Sequence, residues 1–280
     1  MIKFIIDSTI DLSDDLLKTY DVDMISLQVL IDGKNYRDRK EIKIEDLYQA
    51  IKENKKVQTS LPIMMDMYET FEKYAKENTD FIFYTFSSRL SGTYNAGRQV
   101  IEDLKGQYPN VNMIAIDSKN GGTPGLIMAL DILEKIKSGA SFNEVVDYAN
   151  MLTTKMENLF LVNDLTQLKR GGRISTLKSL VGNLLNIKPI LILDDGAITQ
   201  YKSSIGQKRA LNDMIEFVVK NIPNKNALIG INYSANEELL HKVEGMLIEK
   251  GFNNFIKSRI ASTMTAHIGL DAISLSFYKA

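Results

Sequence analysis

The chain has 280 residues, a formal net charge of -1, 44% hydrophobic and 25% charged residues, and no cysteine. This is the composition of an ordinary soluble globular protein, with no global field to attract nucleic acid or an anionic membrane. Disulfides, thiolate catalysis and cysteine-based zinc sites are excluded, and no apolar run approaches the ~20 residues that span a bilayer.

The length exceeds what one core usually supports, which predicts two domains. Met1 to Asp7 holds too short an apolar run for a signal peptide, so the expected compartment is the cytoplasm and no stable membrane insertion is expected. Phe4 to Ile6 reads as a buried strand, and Ser13 caps a helix through Leu16 and Leu17. Met24 to Ile31 reads as a strand leading to an Asp32-Gly33 hairpin. Ile44, Leu47 and Ile51 recur at helical spacing. Val57 to Pro62 reads as a turn, with Pro62 in the first turn of an amphipathic helix carrying Met64, Met67, Phe71 and Tyr74. Phe81 to Phe86 is a continuous apolar strand of the kind buried in a parallel sheet.

The next stretch, Ser87-Ser88-Arg89-Leu90-Ser91-Gly92-Thr93, runs from that strand into a helix expected to bury Tyr94, Val100, Ile101 and Leu104. Such a turn gathers hydroxyls, free N–H groups and the positive end of a helix, which is an anion site. A strand over Val111 to Ile116 ends in Asp117-Ser118, and two helices follow, the second opened by the capping box Ser141-Phe142-Asn143-Glu144. Strand and helix alternate up to about residue 155, which predicts an α/β domain with a parallel sheet over residues 1–155. Ligands of such sheets sit at the C-terminal strand ends, where Asp7-Ser8, Ser87-Ser88 and Asp117-Ser118 fall, with Thr59-Ser60 in a nearby loop.

Residues 156–280 read as a second α/β domain with hairpins. Leu159 to Val162 is a strand, and Asp164 to Ser175 is a basic, glycine-containing segment. Leu177, Leu180, Val181, Leu184 and Leu185 line a helix, and Ile187 to Lys202 is a hairpin around Asp194-Asp195-Gly196. A helix from Gln207 to Asn221, a strand from Leu228 to Tyr233 and a helix capped by Ser234-Ala235-Asn236-Glu237 lead to a last segment holding His267.

A nucleophile among Ser87, Ser88, Ser91 and Thr93 needs a base. Of two histidines, His241 sits among polar residues of a solvated helix, whereas His267 lies in a run of small and hydroxyl residues that can turn into a crevice. Gly-x-Ser-x-Gly and Walker motifs are absent, and no carboxylates stand at metal-ligand spacing. Helix capping is the alternative role of Ser91 and Gly92. Lys169, Arg170, Arg173 and Lys178 are either a solvated flank or a patch contacting a partner or a phosphate, with Arg170 and Arg173 beside Gly171-Gly172. The methionines, Met264 among them, read as core filler.

The elements Ile6-Asp7-Ser8-Thr9, Thr59-Ser60-Leu61-Pro62, Ser87 to Thr93, Asp117-Ser118, Asp164-Leu165 through Ser175, Lys188-Pro189-Ile190-Leu191 and His267 span nearly the whole chain. In this order they resemble the DegV family of bacterial fatty-acid-binding proteins. The resemblance implies two α/β domains burying one long-chain fatty acid between them, without a cofactor or a metal. It implies the role of fatty-acid-binding subunit of a bacterial fatty acid kinase. In that role the carboxylate is presented to a separate, dihydroxyacetone-kinase-like subunit, and the acyl phosphate enters phospholipid synthesis. Carried over, Thr59 with Ser60, and Ser91 with the Gly92 backbone, hold the carboxylate near His267.

Two hydroxyls and an N–H can hold a carboxylate, since hydrogen bonds to a charged group contribute roughly 1.5–3 kcal/mol each. A tail of ~16 carbons at about 0.8 kcal/mol each dominates the affinity before ordering and association costs. Ile63, Leu126, Ile127, Leu180, Leu184 and Met264 are the expected tunnel residues. The chain departs from the family pattern at Ile205, where many members carry arginine, and at Gly269-Leu270-Asp271, where Gly-Pro-Gly is frequent; both changes bear on handover to the kinase. Two other classes stay open on the residues alone: a hydrolase or phosphotransferase using Ser91 or Ser88 with His267, and a lipid-responsive regulator.

Overall fold

A computed structural model describes residues 2–163, 165–173 and 186–279. In chain order its first elements are β1 (Ile2–Asp7), α1 (Asp14–Thr19), β2 (Asp23–Ile25), β3 (Gln28–Ile31), β4 (Lys34–Arg37), α2 (Ile44–Lys52), β5 (Val57–Ser60), α3 (Met64–Lys76), β6 (Asp80–Thr85), α4 (Thr93–Lys105), β7 (Met113–Asp117), α5 (Gly122–Lys137) and α6 (Phe142–Lys155). There follow β8 (Met156–Leu161), α7 (Thr166–Arg170), β9 (Ile187–Asp194), β10 (Ala197–Ile205), α8 (Gln207–Asn221), β11 (Ile229–Tyr233), α9 (Glu237–Glu249), β12 (Phe255–Arg259), α10 (Ser262–Ile268) and β13 (Ile273–Tyr278).

The expected parallel sheet is present in the order β2-β1-β6-β7, every neighbouring pair parallel. Its apolar strands serve two cores. Phe4, Ile6, Ile82 and Tyr84 face α5 and α6. Ile5, Phe81 and Phe83 face Met67 and Phe71 of α3 and Val100, Ile101 and Leu104 of α4. Burial on both faces is why these strands read as unbroken apolar runs.

Several readings need correction here. Met24 to Ile31 is broken at Ser26-Leu27: β2 stays in the parallel sheet, while β3 joins a separate antiparallel sheet in the order β4-β3-β5. The buried Ser8 hydroxyl accepts the Leu27 N–H at the break, and the Leu27 carbonyl accepts from Asp38, which steers the chain away. Val57 to Ser60 is a strand, with Thr59 opposite Val29 and Ser60 opposite Gln28. Pro62 precedes α3, whose N-cap is Ile63. Met64 is exposed and Tyr94 is half-buried, so neither anchors its helix. Asn236, through its side chain, caps α9.

The remaining strands form one mixed sheet in the order β10-β9-β8-β13-β11-β12. Alternation divides its central strands. Leu159, Leu161, Ile229, Ile231, Ile273 and Leu275 pack beneath α8 and α9. Asn158, Phe160, Gly230, Asn232, Ser274 and Ser276 therefore take the opposite face. That face is unusually rich in small and polar residues, and it meets α5, where a side chain at Gly230 would collide with Thr123 and Ile127. The helix expected at Leu177 to Leu185, with Leu180 and Leu184, and also Asp164, Ile174, Ser175 and Lys178, lie outside the described residues.

Candidate functional site

A cavity lies between this second face and the ends of the first region. Thr59, Phe86, Leu90 and Ser91 contribute from the first half of the chain, and Phe160, Leu168, Ile198, Ile260, Met264 and His267 from the second. The empty space among its walls is about 830 Å³ with the mouth and the open solvent there included. Of the expected tunnel residues, Met264 lines it. Ile63, Leu126 and Ile127 do not: Leu126 and Ile127 are buried in the core between α5 and the parallel sheet.

Polar groups cluster where the two halves meet. Thr59 Oγ1 and His267 Nε2 share a 2.8 Å hydrogen bond, with donor and acceptor roles set by the imidazole tautomer. Burial, with the Arg173 cation beside it, pushes the His267 pKa down to about 4, so the ring is neutral at pH 7. His267 Nδ1 is buried without a partner among the described residues. The ring lies against Gly171, where a Cβ would come within 1.9 Å of Nδ1. Arg173 is half-buried and joins the halves: its Nε donates to the Leu90 carbonyl at 3.0 Å and its Nη1 to the Gly171 carbonyl at 2.6 Å. Among the described residues it has no carboxylate partner. Ser91 Oγ lies 2.9 Å from Thr93 Oγ1 and accepts the Thr93 N–H at 3.3 Å, which holds it at the start of α4.

The other strand-end residues secure the loops. Asp7 Oδ2 accepts from the Phe86 N–H at 2.7 Å, and Oδ1 accepts from the Thr9 N–H and hydroxyl. Burial raises its pKa to about 6 despite these bonds. Asp117 accepts from the N–H groups of Ser88 and Lys119. Ser87 donates to the Gly196 carbonyl at 2.7 Å, fastening the hydroxyl turn to the hairpin between β9 and β10.

The site residues expected from sequence are thus sorted by position. Thr59, Ser91 and His267 line the cavity. Ser60, one step along β5, is exposed and does not line the cavity. Gly92, the N-cap of α4, lines an adjoining surface cleft with Ser88 and Arg89, and this cleft shares Leu90, Ser91, Arg173 and Ile198 with the cavity. Arg170 is exposed in a separate cleft beside Gln58 and Gln167. Ser88 is outside the cavity, and neither it nor Ser91 is hydrogen-bonded to His267, whose partner is Thr59. Phe160, Ile198 and Asn158 are wall residues that the helix-based reading missed; alternation along strands is the signal that marks them. Ile205 is 68% exposed. Gly269 takes φ +83° at the end of α10, and Asp271 accepts from Asn236 at 2.9 Å. Among the described residues no three His, Asp or Glu side chains form a metal-binding group, and no helix is long and apolar enough to cross a membrane.

A model of the DegV family, described as uncharacterised proteins, matches residues 1–280. The chain belongs to the DegV family. A DegV domain-containing protein of Staphylococcus aureus is 31% identical over 279 residues, 98% of this chain and 97% of the relative. One from Clostridium perfringens is 29% identical over 99% of this chain and 98% of the relative. Among solved structures, a fatty-acid-binding DegV family protein from Thermus thermophilus superposes with a TM-score of 0.89 at 25% identity, over 100% of this chain and 99% of that one. A DegV lipid-binding protein from Thermotoga maritima gives 0.84 at 26% identity, over 99% and 98%. The DegV fold here is α/β, a parallel-sheet N-terminal region joined to a second region of sheet and helices.

Proposed function

We propose that this DegV protein binds one long-chain fatty acid, with its tail in the cavity and its carboxylate among Thr59, Ser91 and Arg173. The observation that carries the reading is Arg173: a cation at an apolar cavity, bonded to two backbone carbonyls and lacking a carboxylate of its own among the described residues. A buried carboxylate needs such a partner, and the guanidinium fork suits it. The hydroxyls of Thr59 and Ser91, the positive end of α4 at Gly92 and the neutral His267 add donors without a competing charge. The relatives from Thermus thermophilus and Thermotoga maritima, described as binding fatty acid and lipid, support the ligand class.

In this reading residues 1–155 and 156–280 act as two domains enclosing the acyl chain. The protein does no chemistry itself. In the cytoplasm it presents the carboxylate to a separate, dihydroxyacetone-kinase-like subunit that forms the acyl phosphate. The cleft of Ser88, Arg89 and Gly92, next to Ser91 and Arg173, gives that subunit an approach to the head group. A hydrolase using Ser91 or Ser88 is the weaker reading, because His267 is bonded to Thr59 and its lowered pKa makes it a poor base at neutral pH. Denaturing mass spectrometry of protein purified from a bacterial host tests the ligand: a co-purified fatty acid is expected. Absence of lipid, with no uptake of added oleate or palmitate, overturns the proposal.

A further inference from the structure

One wall of the cavity does not suit a plain hydrocarbon. Phe160, Leu193, Ile198 and Met264 are apolar, as a tail requires, but Asn158 and Ser274 line the same space. Asn158 lies two residues from Phe160 on β8, and Ser274 pairs with Phe160 across β8 and β13, so both belong to the inner face of the sheet. Asn158 is 8% exposed, and its side-chain oxygen has no hydrogen-bond partner among the described residues. Ser276, opposite Asn158 in register, also has an unpartnered buried hydroxyl. By contrast, Asn232 on the same face is fully engaged, donating to Asp11 and Ser258 and accepting from Thr123. Buried amides are rarely left unpaired, and a leucine at 158 would serve an alkyl chain better.

We infer that Asn158, with Ser274 beside it, is a polar subsite for an acyl chain bearing a hydroxyl away from its carboxylate. A hydroxyl both donates and accepts, so it satisfies either end of the carboxamide, whichever way the amide is turned. A saturated unsubstituted chain leaves the amide unpaired. The inference rests on the fatty-acid reading and concerns the selection among acyl chains.

The test is displacement of a fluorescent fatty acid by stearate and by monohydroxystearates substituted at successive carbons from mid-chain outward, on the wild-type chain and on Asn158→Leu. At least one hydroxystearate is expected to bind the wild type about three- to tenfold more tightly than stearate, the range of one neutral hydrogen bond. Asn158→Leu is expected to lose this preference, read as the ratio of the hydroxystearate and stearate affinities within the variant. A wild type that favours stearate over every hydroxystearate overturns the inference without needing the variant, and points to water as the partner of the amide. A preference that survives in Asn158→Leu also overturns it. Failure of both stearate and the hydroxystearates to displace the probe overturns the fatty-acid reading itself.

Discussion

Thr59 and His267 stand 208 positions apart in the chain and meet in one 2.8 Å hydrogen bond at the cavity wall. The bond ties β5 to α10, so one contact joins the two halves of the chain and shapes the polar end of the cavity. The imidazole that makes it is neutral at pH 7, since burial beside Arg173 disfavours the charged ring.

Acid therefore weakens the fold through His267. Its folded pKa of about 4 lies below the ordinary value of 6.5. The stabilisation is complete above the unfolded pKa and is lost as pH falls toward the folded one, by up to about 3 kcal/mol over the whole interval. Asp7 and Asp11 act in the opposite direction. Burial raises them to about 6 and about 7, so they favour the folded state as pH falls. The wild-type melting temperature alone mixes these effects, and the comparison with His267→Gln isolates the first. Between pH 7 and pH 5 the wild type is expected to lose more stability than the variant. Parallel melting curves for the two proteins would remove His267 from the pH response.

Gly171 is required by space. It ends α7 with φ -77°, a conformation open to any residue, yet a Cβ there would sit 1.9 Å from His267 Nδ1. Gly171→Ala must displace the ring and with it the Thr59 bond. Affinity for a fatty acid is expected to fall about tenfold, the size of one lost hydrogen bond at the upper end of its range, in a titration with a fluorescent acid. Unchanged affinity would show that the ring has no part in the head-group site.

The parallel sheet was legible because two-sided burial writes itself as apolar runs such as Phe81 to Phe86, which the structure forms as the strand Asp80–Thr85. The hydroxyl turn, the capping box at Ser141 and the Asp32-Gly33 hairpin were legible because each depends on a few adjacent residues. β5 was not. Of its four residues Val57 and Thr59 are half-buried and Gln58 and Ser60 exposed, and they stand just before a proline, so their pairing with β3 is a tertiary fact. The position of Ser60 follows from the same fact: once Val57 to Ser60 is a strand, neighbours point to opposite faces, and of the four Thr59 alone lines the cavity. The expected wall residues Leu126 and Ile127 lie on α5 and face the first core, whereas much of the wall is a sheet face. Arg173 stood out as a basic residue beside two glycines. Its contact with Leu90, 83 positions away, could come only from the fold.

Ser87 and Ser91, four residues apart in one turn, are expected to separate stability from binding. Ser87 is completely buried, donates to the Gly196 carbonyl and accepts the Arg89 N–H, so its hydroxyl fixes the turn to the second region. Ser91 lines the cavity, and its structural bonds are local ones to Thr93. Ser87→Ala leaves a buried carbonyl without its donor and is expected to cost about 1–3 kcal/mol, read as a lower denaturation midpoint. Ser91→Ala is expected to leave the midpoint within about 0.5 kcal/mol of wild type, as for most substitutions that break no buried network. Its affinity for fatty acid is expected to fall about tenfold or more, because hydrogen bonds to a charged group contribute roughly 1.5–3 kcal/mol. Equal affinity in the Ser91 variant would exclude its hydroxyl from the carboxylate site. The opposite pattern, with Ser87→Ala weakening binding at unchanged stability, would move the head group one turn back toward the parallel sheet.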